Sequence, residues 1–356
     1  MTIVIAILIF ALIILIHEIG HFSAAKLFGM KVISFNMGIG PVLLKKRGKE
    51  TVYQLKAIPF GGSCVLGEDL EPTDDPRDFR NKPVWQRMIV ILAGAFMNLV
   101  LGFVLCLIIV SMDDLVGTTT IHSFTDKYET LSNQTLQAGD KIIAVNGMRI
   151  FTSADVNYQL MNGAVKMTEE KDRVIFEFTV IRNGQRIILD NVEFNARVNA
   201  DGRSEIVPEL IWLGNKKNFL NVISGSMLET FSYSRIIVLT LADMLRGTYG
   251  LNDIAGPVGA VSAIGEVSAV GFAQSIKAGL MMSLYIAAFI SINVGIFNLL
   301  PIPALDGSRF LFFVIEAIRR KPVKAEVENA IHFVGLAALM LFMLFITVLD
   351  VQKLFS

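Results

Sequence analysis

The chain alternates between long stretches without charge and stretches rich in it. Residues 1–16 carry no charged side chain, and apolar character resumes over 19–25 after an interruption at His17 and Glu18. Residues 88–112 and 278–305 are charge-free throughout, and so are 333–349, which reach back to 329 if His332 is accepted. A membrane-crossing helix needs about 20 mostly apolar residues. The second and third segments have that length outright and the fourth with its extension. The first has it only if the polar residues at its end lie at membrane depth. Between 113 and 211 the pattern shortens to a period of two. Lys141 to Val145 reads as a strand closed by an Asn146-Gly147 turn. Val174, Phe176, Phe178 and Val180 alternate along a second strand, which turns at Asn183-Gly184 into a third. Residues 154–161 have helical spacing. Residues 221–245 are amphipathic, with Glu229, Arg235 and Asp243 interrupting apolar positions. That pattern fits a helix lying in the membrane interface, and it also fits a helix packed on a soluble domain.

Hydrophobic residues make up 53% of the chain and charged residues 18%, with 32 Lys+Arg balanced by 32 Asp+Glu. This balance excludes a disordered polyelectrolyte and a generally basic nucleic-acid binder, so no nucleic-acid partner is expected. Cys64 and Cys106 are too few for a disulfide scaffold or a Cys-based zinc cluster. The first segment lacks a basic residue before its apolar run and a small-residue cleavage site after it. It is therefore read as a retained helix, not a signal peptide. Loop charge sets an orientation. Residues 26–87 hold 11 Lys/Arg against 7 Asp/Glu, residues 113–211 hold 10 against 15, and residues 308–328 hold 5 against 3. The positive-inside rule puts the first and third of these loops in the cytoplasm, and both termini and the acidic loop outside.

His17-Glu18-Ile19-Gly20-His21 is H-E-x-x-H. On a helix, residues four apart project about 40° apart and about 6 Å along the axis, so both imidazoles can reach one zinc ion. Glu18 stands beside them, placed to deprotonate a zinc-bound water. Ionisable groups inside a membrane segment are costly and point to function, and metal ligation is one relief of that cost. A hydrolytic zinc site usually has three protein ligands, so a third belongs in another membrane segment. His122 lies in the outer loop, and His332 begins the fourth segment without a partner motif. Asp306 is the better candidate, at the end of Asn298-Leu299-Leu300-Pro301-Ile302-Pro303-Ala304-Leu305-Asp306-Gly307. The two prolines break helix hydrogen bonding there, and broken helices are tolerated in membranes where they are buried or line a cavity. Asp306 alone could equally be the N-cap of a helix over 308–318.

H-E-x-x-H in the first span, with N-x-x-P-x-P-x-L-D-G in the third, resembles the site-2 protease family of intramembrane zinc metalloproteases. The order of span, basic loop, span, outer domain, span and span is similar to its bacterial regulator-of-sigma-E protease branch. Phe60-Gly61-Gly62, the Lys82 to Arg87 run, Gly94-Ala95-Phe96-Met97-Asn98 and Gly256-Pro257-Val258-Gly259 match as well, so the resemblance covers essentially the whole chain. The piece from Leu136 to Gly147 resembles the core of a PDZ domain, matching over 118–200. Only one such domain fits, whereas some family members carry two, and Ala95 stands where a Pro is common.

The expected fold is a polytopic α-helical membrane protein with four transmembrane helices, a membrane-associated β-hairpin and one outer PDZ-like, β-rich α+β domain. Its expected segments are spans at 1–27, 88–112, 275–307 and 329–349. A basic cytoplasmic loop with the hairpin occupies 28–87, the outer domain 113–211, an interfacial linker 212–274 and a cytoplasmic loop 308–328. The resemblance implies one Zn2+ held by His17, His21 and Asp306, with Glu18 as general base and then acid. It also implies substrate contacts at Asn298, Pro301, Phe60, Gly61 and Gly62. The partners it implies are single-span membrane proteins already cut by another protease, such as anti-sigma factor stubs and remnant signal peptides. They would be cut within the bacterial inner membrane in regulated intramembrane proteolysis, as in a stress response, with the active site toward the cytoplasmic side. The PDZ-like domain would either filter or recruit them. A hairpin over 31–66, with arms at 42–44 and 52–58, could pair with an unwound substrate, or be an ordinary cytoplasmic hairpin. Competing functions are a prenyl-substrate type of membrane protease, which would use Glu as third ligand, and a metal transporter or PDZ-bearing scaffold.

Overall fold

A computed structural model describes residues 2–67, 74–127, 129–165, 173–198, 204–250, 254 and 256–355. Met1 and residue 200, at the ends of expected segments, and the side chain of Phe60 lie outside the described residues. Four helices are long and apolar enough to cross a membrane: Val4–Leu27, Val84–Met112, Ile276–Leu299 and Glu326–Gln352. They belong to α1 (Thr2–Leu27), α2 (Val84–Met112), α6 (Ile276–Leu299) and α8 (Ala325–Phe355). The last leaves Phe333, Val334, Leu341 and Leu344 between 62% and 74% exposed. Apolar surface on that scale suits hydrocarbon, not water, and the chain is a membrane protein.

By its contacts the chain divides into two compact units, residues 1–105 with 251–356, and residues 106–250. In the first unit, β1 (Ser34–Arg47) and β2 (Val52–Val65) fold into more than a hairpin. Each bends at glycines with positive φ, Gly38 and Gly40 in β1 and Gly61 in β2. Leu44 to Arg47 pairs antiparallel with Val52 to Leu55, as expected of a hairpin. Ser34 to Met37 then runs parallel to those same four residues, and antiparallel to Gly62 to Val65 on its other side. The result is four short lanes, with 62–65 at one edge and 42–47 at the other. Met30, Val32, Leu66, Phe79, Val90, Ile91 and Phe313 pack beneath it, while Leu43, Leu44 and Ile58 stay exposed.

α6 starts at its N-cap Ser275, whose hydroxyl accepts from Ala278 N at 3.0 Å, and stops at Leu299 because Pro301 and Pro303 follow. The turn after it holds Ala304 at φ +74, and the Ala304 N–H donates to His332 Nδ1 at 3.2 Å. α7 (Asp306–Arg319) opens with Asp306 as its first residue; the N-cap is Leu305, so Asp306 is not the cap. The helix considered over 308–318 is therefore present, starting two residues earlier. α5 (Pro257–Gln274) packs on α6, α1 and α8. Its first turn is capped from α8, where the buried Asp350 accepts from Gly259 N at 2.8 Å.

In the second unit the strands are β3 (Leu115–Phe124), β4 (Lys141–Val145), β5 (Met148–Arg149), β6 (Arg173–Arg182), β7 (Gln185–Val198), β8 (Ser204–Ile206) and β9 (Leu210–Lys216). Their order is β8-β7-β6-β4-β3-β9, with β5 paired to β4. The β4–β5 turn has positive φ at both Asn146 and Gly147, the geometry those two residue types favour in a two-residue hairpin. β9 pairs along β3 to Lys216, so the sheet runs past the expected boundary at 211. α3 (Ser153–Val165) covers a core of Ile142, Val145, Phe176, Phe178 and Phe194. α4 (Phe219–Leu245) begins with an Asn218–Asn221 capping box and ties to α3 through polar side chains. Arg235 reaches the fully buried Asp155 at 2.7 Å, and Asp243 accepts from Tyr158 Oη and Asn162 Nδ2.

Candidate metal centre

His17 and His21 lie one turn apart on α1, so their rings leave the same face. Their Nε2 atoms are 3.1 Å apart. Asp306 Oδ2 is 3.1 Å from the first and 3.3 Å from the second. These atoms form a nearly equilateral triangle. A tetrahedral zinc with bonds of about 2.0–2.1 Å spaces its ligand atoms about 3.3 Å apart, the edge length seen here. Asp306 Oδ2 is buried and has no hydrogen-bond partner among the described residues. A carboxylate oxygen in that position, between two imidazole nitrogens, is an acceptor site in want of a cation, and the donor set fits zinc. Among the described residues this is the one group of three His, Cys, Asp or Glu side chains close enough to hold a metal ion.

α2 supplies the supports. His21 Nδ1 donates to Val90 O at 2.8 Å, which leaves the Nε2 lone pair facing the triangle. His17 Nδ1 lies 3.3 Å from the amide of Asn98, which is fully buried and whose Oδ1 has no hydrogen-bond partner among the described residues. Turned over about its last torsion, that amide presents Oδ1 to a protonated His17 Nδ1 and satisfies both groups. The Asn98 carbonyl in turn accepts from Ser291 on α6 at 2.7 Å. Between them, Gly94 leaves room for the rings: a Cβ there would lie 2.4 Å from His21 Nε2 and 2.7 Å from His17 Cε1. Gly20 does the same for the approach of α1 to α2, where a Cβ would lie 2.3 Å from Ala93 O.

Glu18 is half-buried on the side of the sheet edge, where its carboxylate accepts from the Cys64 backbone N–H. A Cβ on Gly62 would be 2.7 Å from Glu18 Cγ, so only glycine lets the 62–65 lane come this close. Gly61 holds φ +82 beside it. Asn36 lines the same recess, with its Oδ1 buried and without a hydrogen-bond partner among the described residues. The described hydrogen bond of Asn298 runs to Val294 O in its own helix, and Pro301 is exposed. Neither makes a described contact with the triangle. Of the other histidines, His122 lies in the second unit, and His332 holds the Ala304 turn two residues before Asp306. α7 is fixed to α2 by a two-armed Arg87–Glu316 pair, at 3.1 and 2.7 Å, with the guanidinium over the Phe313 ring.

Sequence reasoning gave no chemistry to Asn98, Asn36, His332 or Asp350. The signal for Asn98 was present: it is an amide inside 25 residues that carry no charge. The others take their partners from elements far away in sequence.

Comparison with known proteins points to zinc. The model of peptidase family M50 matches residues 5–342. A Fusobacterium nucleatum protein named for the zinc metalloproteases is 33% identical over the whole of both chains. A similarly named protein of Clostridium acetobutylicum is 32% identical, over 98% of this chain and 97% of its own. The regulator of sigma-W protease RasP of Bacillus subtilis is 26% identical over 99% of each. The chain belongs to peptidase family M50, the site-2 protease family, and is a membrane zinc metalloprotease.

Proposed function

We propose that His17, His21 and Asp306 hold one zinc ion, and that the enzyme cuts peptide bonds inside the membrane-spanning segments of single-span proteins. The observation that carries this reading is the triangle of two imidazole nitrogens and an unpartnered carboxylate oxygen, contributed by a membrane-spanning helix and the turn after another. A zinc ion held by these three residues would supply an acidified water and polarise the scissile carbonyl. Glu18, one residue along α1 from His17, takes the proton of the attacking water and returns it to the leaving amide nitrogen. The Cys64 N–H holds that carboxylate on the side of the sheet. Val90 O and Asn98 keep the two rings turned so that both Nε2 atoms face inward.

A substrate helix shields its carbonyls and must unwind before it is cut. Its freed backbone groups then need partners, and the 62–65 lane is an edge strand next to Glu18. In this reading Gly61 and Gly62 let that edge approach the scissile bond, and Phe60, Asn298 and Pro301 line the substrate's path. The second unit is read as a PDZ-like domain outside the membrane, on three supports. They are the Gly139-Asp140 and Asn146-Gly147 turns, the strand–helix–strand order and the acidic balance of 113–211. Loop charge supports an orientation with both termini outside and the metal toward the cytoplasmic face, and the membrane in this reading is the bacterial inner membrane. Substrates are anti-sigma factor stubs or remnant signal peptides, shortened beforehand by another protease.

The test uses purified protein in detergent with a tagged single-span stub. Wild type should cleave it, a chelator should abolish cleavage and added zinc should restore it. Glu18→Gln should keep its zinc and lose at least about 100-fold in rate. Cleavage that survives Glu18→Gln would overturn the mechanism.

A further inference from the structure

Ten Lys/Arg and fifteen Asp/Glu make residues 113–211 acidic as a whole. Against that background, three cations line one pocket. Lys141, Arg149 and Arg186 surround a space of about 570 Å3 with Ile143 and Phe151, and Leu228 of α4 closes it. No carboxylate lines it, and among the described residues none of the three cations forms an ion pair. Elsewhere on the same sheet basic residues are partnered: Arg173 with Glu193, Arg182 with Asp140 and Arg197 with Glu205. Three like charges without counter-ions, held around a partly apolar recess, form a site for an anion that carries an apolar portion.

The wall of that recess continues into an apolar stripe. Phe151 meets Phe231 of α4 edge to face at 5.2 Å, and Arg149 lies 5.0 Å over the Phe151 ring. Phe231 belongs to a row on α4 with Leu220, Met227, Val238 and Leu245, each at least half exposed. Their spacings of seven, four, seven and seven residues keep them within about 40° of arc. The opposite side of the helix is the one that buries Ser226, Ser232, Ile237 and Asp243. α4 also lies along the last turns of the second membrane span. Lys217 Nζ donates to Ser111 O at 3.0 Å, and Thr230 hydrogen-bonds Cys106. A Cβ on Gly225 would come within 3.9 Å of Val110 Cγ1. The stripe therefore sits where that span leaves hydrocarbon, with cations beside it.

We propose that this pocket binds the phosphate headgroup of an anionic phospholipid, whose acyl chains lie along the stripe of α4. A phospholipid supplies both halves of the match from one molecule, a negative headgroup for the three cations and chains for Leu228 and Phe231. Arg149 and Arg186 give planar donors suited to phosphate, and Lys141 a mobile charge. The bound lipid would pin the second unit to the membrane surface.

The test uses full-length protein in detergent micelles and reads lipid retention by native mass spectrometry, so it stands apart from peptidase activity. The probes are dioleoyl phosphatidylglycerol and dioleoyl phosphatidylcholine. Wild type should retain the first far better than the second. The combined Lys141→Gln, Arg149→Gln, Arg186→Gln variant should lose about 100-fold in phosphatidylglycerol affinity, at about five-fold per cation. Lys127→Gln, Arg173→Gln, Arg197→Gln removes the same charge elsewhere on the domain and should stay near wild type. If the pocket variant fails to fold, single Arg149→Gln and Arg186→Gln variants should each show the five-fold loss. Undiminished affinity in the pocket variants, or an equal fall in the control, would overturn the proposal. Competition by inorganic phosphate as strong as that of the lipid would assign a free-anion site instead, and displacement by an acidic peptide would assign a peptide site.

Discussion

Asp306 and Asp140 are aspartates of the two units, the first partly buried and the second completely, and the surroundings of their oxygens are opposite. Asp140 is completely buried and its oxygens are filled: Arg182 reaches both at 2.7 Å, and Gln137 N donates to Oδ2 at 2.8 Å. Asp306 has Oδ2 wedged between two imidazole nitrogens, with no hydrogen-bond partner among the described residues. A filled carboxylate holds a fold together; one left open among other lone pairs is waiting for a cation. Shielding of the oxygen atom alone does not separate them, since Asp306 Oδ2 is buried although its side chain is 19% exposed. The state of their lone pairs does.

Exchanging the roles of these two residues in experiment should give opposite readouts. Asp306→Ala should lower zinc affinity by more than about 100-fold, beyond what loss of an outer support causes, and leave apo-protein stability nearly unchanged. Asp140→Ala should leave zinc content at wild type and destabilise the second unit by about 3 kcal/mol, because Arg182 loses its partner. Metal analysis together with denaturant unfolding of both variants checks the pair. Asn98→Ala comes next: zinc affinity should fall about 10- to 100-fold with the fold intact, and Asn98→Asp, which still presents an oxygen to His17 Nδ1, should recover most of it. A cobalt-substituted protein would report the altered ligand geometry by its visible spectrum.

The smallest effect concerns Glu229 on α4. Burial, with the nearby Asp155 carboxylate adding to it, pushes its carboxyl up to about 7. The folded state therefore holds this proton more tightly than the unfolded chain does. That contribution is complete below about pH 4.5 and disappears as pH rises through 7. Glu229→Gln should flatten stability over this window and raise it at pH 8, read as the pH dependence of the unfolding midpoint.

Much of the centre was legible in the sequence because its signals are local. His17, Glu18 and His21 fall within one helical turn and a half, and Asp306 follows two prolines that end a charge-free run. The Asn146-Gly147 and Asn183-Gly184 turns were legible for the same reason, since φ above zero is a property of the residues themselves. The parallel pairing of Ser34 to Met37 with Val52 to Leu55 was not. No alternation within either strand encodes which lane lies beside which. Nothing in the sequence assigned a role to Asp350. Only the fold brings Gly259 to it and turns it into a cap.

Val90, Gly94 and Asn98 stand at intervals of four on α2, and each touches the histidines in its own way: a carbonyl, a gap and an amide. Two of the three act through atoms that no side-chain replacement supplies, so the site depends on reading frame along the helix more than on residue choice. Removing one residue between Val90 and Asn98 would swing the amide about 100° away from His17 while the carbonyl stayed in place. This span should thus drift freely in apolar composition over evolution and yet tolerate almost no change in length. Any engineered fusion or graft has to preserve that count before it preserves any single side chain.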